Sequence, residues 1–452
     1  MPGTLRTRRA LAVVAIGATA AIALAACSSN SGSSSGSSAP ASASASSSAS
    51  SAAALAAVAT CSGSEDSSKT FKLGTFLPLT GSLASLGPAA VAGSGEALSE
   101  IAAAGGVNGT APCVLSTDSS DTDHPTIGAQ NIKKLLAAKV SAILGAESSS
   151  VTEAVLPTVA AQSTVMFSPA NTDDKLTGAS KWYFRDAPPN AVEGNALGQQ
   201  IVQDGNAKTG ILVFNDSYGT NLRNSIQKSI EAAGGSVVYG AQGKGQEFPS
   251  TETNFSSEVS AVLATKPDAI VIDAFDQTAQ ILPALASAGW DMKKVYFVDG
   301  NLNDYTDTKG IPDLTGAKGS TQGVNPSDSF KSLLSGWYAK NENGAKISAY
   351  GYAAESYDAV MIMALAAQIA GDLTPASIQK NILPVTGTTN GTVCKTYADC
   401  LKLIKGGNKN IHYEGPSGIG PLNAGHDPSS GYISIYQYVG KAPSKFLNSV
   451  KG

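Results

Sequence analysis

From Phe71 onward the chain alternates short apolar runs with helix-like stretches, and it does so twice. Parallel strands cannot be joined by a tight hairpin and need a crossover, so this alternation dictates parallel sheets covered by helices. The first series reads strand Phe71–Leu77, helix Val91–Ala104 stopped by Gly105-Gly106, strand Cys113–Thr117 and helix Thr126–Ala138. It continues with strand Ser141–Leu144, helix Val151–Gln162 and strand Thr164–Ser168. The second opens with a helix from Asn190 to about Asp204 and strand Gly210–Phe214. A helix with Leu222, Ile226 and Ile230 on one face follows, then strand Ser236–Tyr239. Phe255, Val259, Val262 and Leu263 mark another helix, before strands Ala269–Ile272 and Val295–Val298. A long helix over Ala353–Ala370 and an alternating strand over Tyr432–Tyr438 complete the pattern.

The expected fold is α/β: two Rossmann-like lobes with parallel sheets, joined by a multi-strand hinge. Crossings are placed near Ala187-Pro188-Pro189, near Gln322-Gly323 and before Tyr432. Residues 69–188 plus 323–428 then form one lobe, and 189–322 plus 429–452 the other. Ligands of open α/β sheets sit beyond the carboxyl ends of the strands. Two lobes facing each other there make a cleft that closes on a small molecule.

What precedes the body reads as an address. Arg6, Arg8 and Arg9 form a basic start, Ala10–Ala23 an apolar stretch too short for a stable span, and Leu24-Ala25-Ala26-Cys27 resembles the bacterial lipobox. Residues 1–26 are therefore expected to be a lipoprotein signal peptide, with lipid carried on Cys27. Residues 27–68 are mostly Ser, Ala and Gly, which bury too little to fold, and are expected to be a disordered tether. The expected location is the extracytoplasmic face of the cell membrane. Removing the leader leaves 28 Lys+Arg against 35 Asp+Glu, a net charge of −7. With no basic excess to neutralise phosphates, nucleic acid is excluded as a partner.

Beyond Cys27, four cysteines remain: Cys61, Cys113, Cys394 and Cys400. An even number outside the membrane favours disulfides over a metal site or a nucleophilic thiol. Cys394 and Cys400 flank a short local loop. Cys61 precedes the first strand and Cys113 opens the second, so Cys61–Cys113 follows if those strands are neighbours.

Other clusters read as surface or packing. Asp118, Asp121, Asp123 and His124 lack calcium-loop spacing and are expected in a solvated loop. Gly243-Lys244-Gly245 lacks the remainder of a phosphate loop. His124, His412 and His426 are expected at the surface, and Trp182, Tyr183 and Phe184 in core or hinge packing. The body carries neither HExxH nor GxSxG. No enzyme activity, metal or cofactor is expected.

Several segments resemble the type I periplasmic binding proteins, in their leucine/isoleucine/valine-binding branch. They are Phe76-Leu77-Pro78-Leu79-Thr80-Gly81 with Leu86-Gly87, Ile101–Gly109, Gly145–Ser150, Ser168–Thr172, Asn215–Gly219, Tyr357–Val360, and Tyr413-Glu414-Gly415 with Ser417-Gly418. The resemblance implies that Ser149, with Ser148 beside it at a helix start, takes a ligand carboxylate. Ala170, Asn171 and Thr172 would add backbone groups and a hydroxyl. Tyr218 would close from the second lobe, and Asp299 would face an ammonium. Leu86 and Phe275 stand where the family offers aromatic rings, so the apolar wall differs. The implied function is capture of a small aliphatic amino acid for an ABC importer, with permease subunits as partners. The rival is the same cleft sensing or importing an amide, urea or aromatic acid. A Ser149 hydrolase and a purely structural surface protein are further alternatives.

Overall fold

A strand buried on both faces carries no alternation, and Ala142–Gly145 and Ala269–Asp273 are buried along their whole length. In the computed structural model, which describes residues 55–451, each lies inside a separate sheet. The first lobe runs β1 (Lys72–Leu77), α1 (Gly87–Ala103), β2 (Cys113–Asp118), α2 (Pro125–Ala137), β3 (Ala142–Gly145), α3 (Ser149–Ala161), β4 (Val165–Ser168) and β5 (Tyr183–Arg185). Its sheet order is β2-β1-β3-β4-β5, parallel throughout. Tyr183 and Phe184, expected only as packing, thus form an edge strand, and Tyr183 donates its hydroxyl to Asn171 Oδ1 at 3.0 Å.

The second lobe runs α4 (Asn190–Gln203), β6 (Lys208–Val213), α5 (Ser217–Ala232), β7 (Ser236–Tyr239), α6 (Ser256–Ala264), β8 (Ala269–Asp273), α7 (Thr278–Ser287), β9 (Val295–Phe297) and β10 (Lys318–Gln322). The chain then returns to the first lobe for α8 (Asp328–Asn341), α9 (Ala353–Ala370), α10 (Pro375–Leu383), β11 (Thr392–Cys394), α11 (Tyr397–Lys405) and β12 (Ile411–Tyr413). It ends in a hairpin, β13 (Tyr432–Val439) and β14 (Ala442–Lys451), on the second sheet.

That sheet is ordered β14-β13-β10-β9-β8-β6-β7 and is parallel from β7 to β10. The sheet is thus mainly parallel, as expected, with an antiparallel edge where β13 pairs with β10 and β14 with β13. The reason lies at the hinge. β10 leaves the lobe where β13 enters it, so the two neighbours run in opposite directions.

Helix α9 is buried over nearly its whole length because it is the core helix of the first lobe. Small residues in α1 let it approach: a Cβ on Gly93 would lie 2.1 Å from the Ala353 carbonyl oxygen. Among the described residues no single helix is long and apolar enough to cross a membrane.

Strands β1 and β2 are neighbours, and Cys61 and Cys113 are joined in a disulfide with Cα atoms 5.1 Å apart. A second disulfide joins Cys394 to Cys400. The expected leader, the lipidated Cys27 and most of the expected tether lie outside the described residues. The tether's expected end at Ser68 is corrected by the structure. Val114 N–H donates to the Ala59 carbonyl at 3.1 Å, and Cys61 N–H donates to the Val114 carbonyl at 2.9 Å. Asn341 meets Ala57 N–H and the Leu55 carbonyl. Small side chains do not prevent ordering where a sheet edge offers unpaired backbone groups.

The crossing segments clasp one another. Gly323 N–H donates to the Tyr432 carbonyl at 2.8 Å, and Ser434 Oγ donates to the Gly323 carbonyl at 2.9 Å. Pro188 packs on Gly431, where an added Cβ would lie 2.2 Å from the proline Cγ. Gly323 has φ +81°, a conformation natural only to glycine, and a Cβ there would strike Glu355.

Candidate functional site

The two lobes are closed on each other by side-chain hydrogen bonds. Asp216 caps α5 by accepting from Tyr218 N–H at 2.9 Å. Its other oxygen reaches the first lobe, accepting from Thr122 Oγ1 at 2.7 Å and Ser150 Oγ at 2.5 Å. Ser217 donates to Glu153 at 2.9 Å, and Asn303 donates to Ser85 at 3.2 Å. Asp123 accepts from Ser250 of the second lobe.

The loop holding Asp123 is not the solvated cluster expected from sequence. Asp118 accepts from Leu79 and Thr80 N–H, while Asp121 is 2% exposed and binds Ser82 N–H and His124. These carboxylates tie down the loop after β1, whose backbone donors would otherwise be unsatisfied. His426 is half-buried rather than free at the surface. Its ring stacks on Phe184 at 4.2 Å and pairs with the Tyr183 carbonyl.

On the first-lobe side of the cleft, the turn after β3 starts α3. Ser148 is its N-cap, accepting from Val151 N–H at 3.3 Å, so its hydroxyl serves the helix. Ser149 is 2% exposed, and its Oγ accepts from Thr172 N–H and Asp173 N–H, each at 3.3 Å. The hydroxyl of Thr172 is buried without a partner. Asn171 turns inward: its amide nitrogen donates to the Glu147 carbonyl at 2.8 Å, and its oxygen accepts from Tyr183. Ala170 N–H donates to Ser168 Oγ at 3.2 Å. Ser149 and Thr172 thus lie at the amino end of a helix, whose free N–H groups and dipole favour an anion.

On the second-lobe side, Asp299 follows β9 and accepts from the Tyr218 hydroxyl through Oδ1. Its Oδ2 accepts from the hydroxyl of Tyr352, which belongs to the first lobe. The aspartate therefore joins both halves. The Asp299 N–H donates to Glu193 Oε1 at 3.1 Å, and Glu193 also accepts from Ser320 at 2.6 Å and Gln322 at 3.1 Å. Phe275 stacks on Tyr218 at 5.2 Å and meets Phe214 edge-on at 4.8 Å. Leu86 and Ala170 of the first lobe join Tyr218, Phe275 and Tyr352 in one apolar cluster.

Burial sets the electrostatics. It raises the Asp299 carboxyl, while hydrogen bonds from Tyr218 and Tyr352 oppose the rise. It raises Glu193 well above the ordinary range, and the neighbouring Asp299 adds to this. Burial pushes Glu147 up to about 8, and both its oxygens lack partners. Glu355 is likewise pushed up to about 8 and Glu96 to about 7.

These shifts have a stability consequence. The folded state holds protons that the unfolded chain sheds above about 4.5, so stability present at low pH is lost as pH rises through about 8. The unfolding temperature is expected to fall between pH 5 and pH 8, and Glu147→Gln should flatten that slope. Melting curves across this range check it; an unchanged slope in the variant would assign the effect elsewhere.

Tyr352 and Glu193 carried no sequence signal for this role. Tyr352 caps α9 at φ 60°, outside any helical or strand periodicity. Glu193 stands in the first turn of α4, where an acid ordinarily only complements the helix dipole. Among the described residues, Ser149 Oγ has no imidazole or carboxylate partner to take its proton, so the hydrolase arrangement is not built.

A family model described as periplasmic binding protein matches residues 70–393. Leu/Ile/Val-binding protein homolog 8 of Brucella abortus is 28% identical over 200 residues, which cover 42% of this chain and 47% of the relative. The chain thus spans about half the length of the curated relatives it matches. Among solved structures, a leucine-binding protein from Thermotoga maritima superposes with a TM-score of 0.67 at 20% identity, covering 84% of this chain and 99% of that one. A solute-binding protein of an ABC transporter from R. palustris, in complex with 4-hydroxybenzoate, gives 0.66 at 15% identity, covering 84% and 96%. At such identities the likeness carries the two-lobed fold alone.

Proposed function

We propose, from the premise that this chain belongs to the periplasmic binding protein family, that it is the extracytoplasmic solute-binding component of an ABC importer. Its solute is a small amino acid with an aliphatic stem, held between the lobes. The single observation that carries this reading is the polarity of the cleft. An unpartnered Thr172 hydroxyl and the Ser149 hydroxyl lie at a helix amino end on one lobe, and a buried carboxylate, Asp299, stands on the other. A zwitterion matches that arrangement at both of its charges.

In this reading Ser149 and Thr172 take the carboxylate, Ala170 contributes backbone, and Asp299 with Tyr218 takes the ammonium. Leu86 and Phe275 form the wall against the α-carbon. Ser148 and Asn171 act one step back, the first by capping α3 and the second by fixing the turn. The lobes divide at 188/189, 322/323 and 428/429, and the solute shifts the open–closed balance by its differential affinity. The closed form then docks on permease subunits. Cys27 anchors the protein by lipid to the outer face of the membrane.

Titration calorimetry and melting curves on the full chain test this with the twenty amino acids, amides, urea and aromatic acids. Solute at ~100 times its Kd should stabilise the protein by roughly 2.7 kcal/mol. A selective response to Leu, Ile, Val or their longer homologues supports the amino-acid reading. A response confined to aromatic acids, amides or urea keeps the family and overturns the solute class.

A further inference from the structure

Leu86 and Asp299 also line a cavity of ≈ 350 Å³ that does not include Ser149 or Thr172. Both lobes build it. Tyr352, Glu355 and Lys331 come from the first, and Asp299, Leu302 and the β13–β14 hairpin from the second. Small-molecule pockets run roughly 300–1,000 Å³. A four-carbon side chain, at ~30 Å³ per heavy atom as for liquid water, would fill about a third of this one.

The cavity's polar groups are arranged for more than hydrocarbon. Lys331 is the cation of the lining. Its ammonium donates to Asn325 Oδ1 at 2.8 Å, forms no ion pair among the described residues, and keeps further N–H donors. None of the nearby acids forms an ion pair with it among the described residues: Asp299 accepts from the Tyr218 and Tyr352 hydroxyls, Asp304 Oδ1 accepts from Thr306 N–H at 2.9 Å, and burial pushes Glu355 up to about 8. Gln322 is 3% exposed, with its Oε1 lacking a partner. Its amide nitrogen is fixed on Glu193, which also holds Asp299 N–H. A buried acceptor left bare is unfavourable until a donor meets it.

We propose that this chamber holds the distal part of the solute, and that the solute is an α-amino acid whose long side chain ends in a carboxylate paired with Lys331. The inference rests on the amino-acid reading above. The ammonium lies between Asp299 and Gln322 Oε1, the aliphatic stem passes Leu86 and Tyr352, and the terminal carboxylate meets Lys331 beside Asn325.

Calorimetry on the full chain with leucine, norleucine, glutamate, 2-aminoadipate and 2-aminopimelate tests it, repeated with Lys331→Met. Lys331 is partly exposed on α8, so the variant should fold, and norleucine binding confirms that it does. A dicarboxylic amino acid is expected to bind the natural protein at least ~10-fold tighter than norleucine, the scale of a charge-assisted pair. Lys331→Met should abolish that preference and leave norleucine affinity within about 2-fold. Equal or weaker binding of every dicarboxylic amino acid, or a preference that survives in Lys331→Met, would overturn the chamber assignment alone. Failure of every α-amino acid to bind would overturn the amino-acid reading and this inference with it.

Discussion

Asp299→Ala is expected to weaken amino-acid binding by at least ~30-fold, since truncating one partner of a buried charge pair removes roughly 2–5 kcal/mol. The loss has two sources. The solute's ammonium loses its counter-charge in a closed, dry cleft, and Tyr352 loses the acceptor that links the first lobe to the second. Folding stability should respond far less. Removing a buried carboxylate relieves the burial that raises its pKa, against the loss of acceptors for two phenols. Asp299→Asn separates the roles. It keeps an oxygen for a tyrosine but removes the charge, so binding should stay poor while the melting temperature returns close to that of the natural protein. If the asparagine variant binds normally, Asp299 is a structural acceptor and the solute needs no counter-ion.

Removing the Cys61–Cys113 disulfide is expected to destabilise the first lobe by about 4 kcal/mol, from loop-closure entropy over a separation of 52 residues. The Cys394–Cys400 link spans a separation of 6, and the same relation gives about 2 kcal/mol. Urea denaturation of the paired Cys→Ser variants, followed through the first-lobe transition, should rank them in that order. The reverse ranking would mean that strain or residual structure in the unfolded chain outweighs loop length.

The interior strands were legible because burial on both faces leaves a continuous apolar run, as in Ala142-Ile143-Leu144. The pairing of Cys61 with Cys113 was legible once β1 and β2 were adjacent. Strand β14 was not: it is an edge with an exposed Phe446 and no buried face to impose a period. Helix α8 buries only Leu334 and Trp337 fully, too few to mark a stripe. At the cleft, positions on strand-to-helix turns were legible, because chain order fixes where such turns fall. Their side-chain partners were not. Asn171 and Ser148 turn to the interior of their own lobe, and Tyr352 reaches Asp299 from a residue 53 positions further along the chain. Contacts between lobes depend on how the two bodies meet, which no local pattern encodes.

The N-terminal edge of the first sheet determines which half of the molecule bears a load. Residues 59–61 are fastened to β2 by backbone hydrogen bonds and by a covalent sulphur link. A pull arriving from upstream of Leu55 therefore enters the first lobe and ends there, without crossing the clasped segments at Gly323 and Gly431. The second lobe remains mechanically unloaded. Were the chain held from that end, the first lobe would be a fixed jaw and the second a free one, and closing would do no work against the tension.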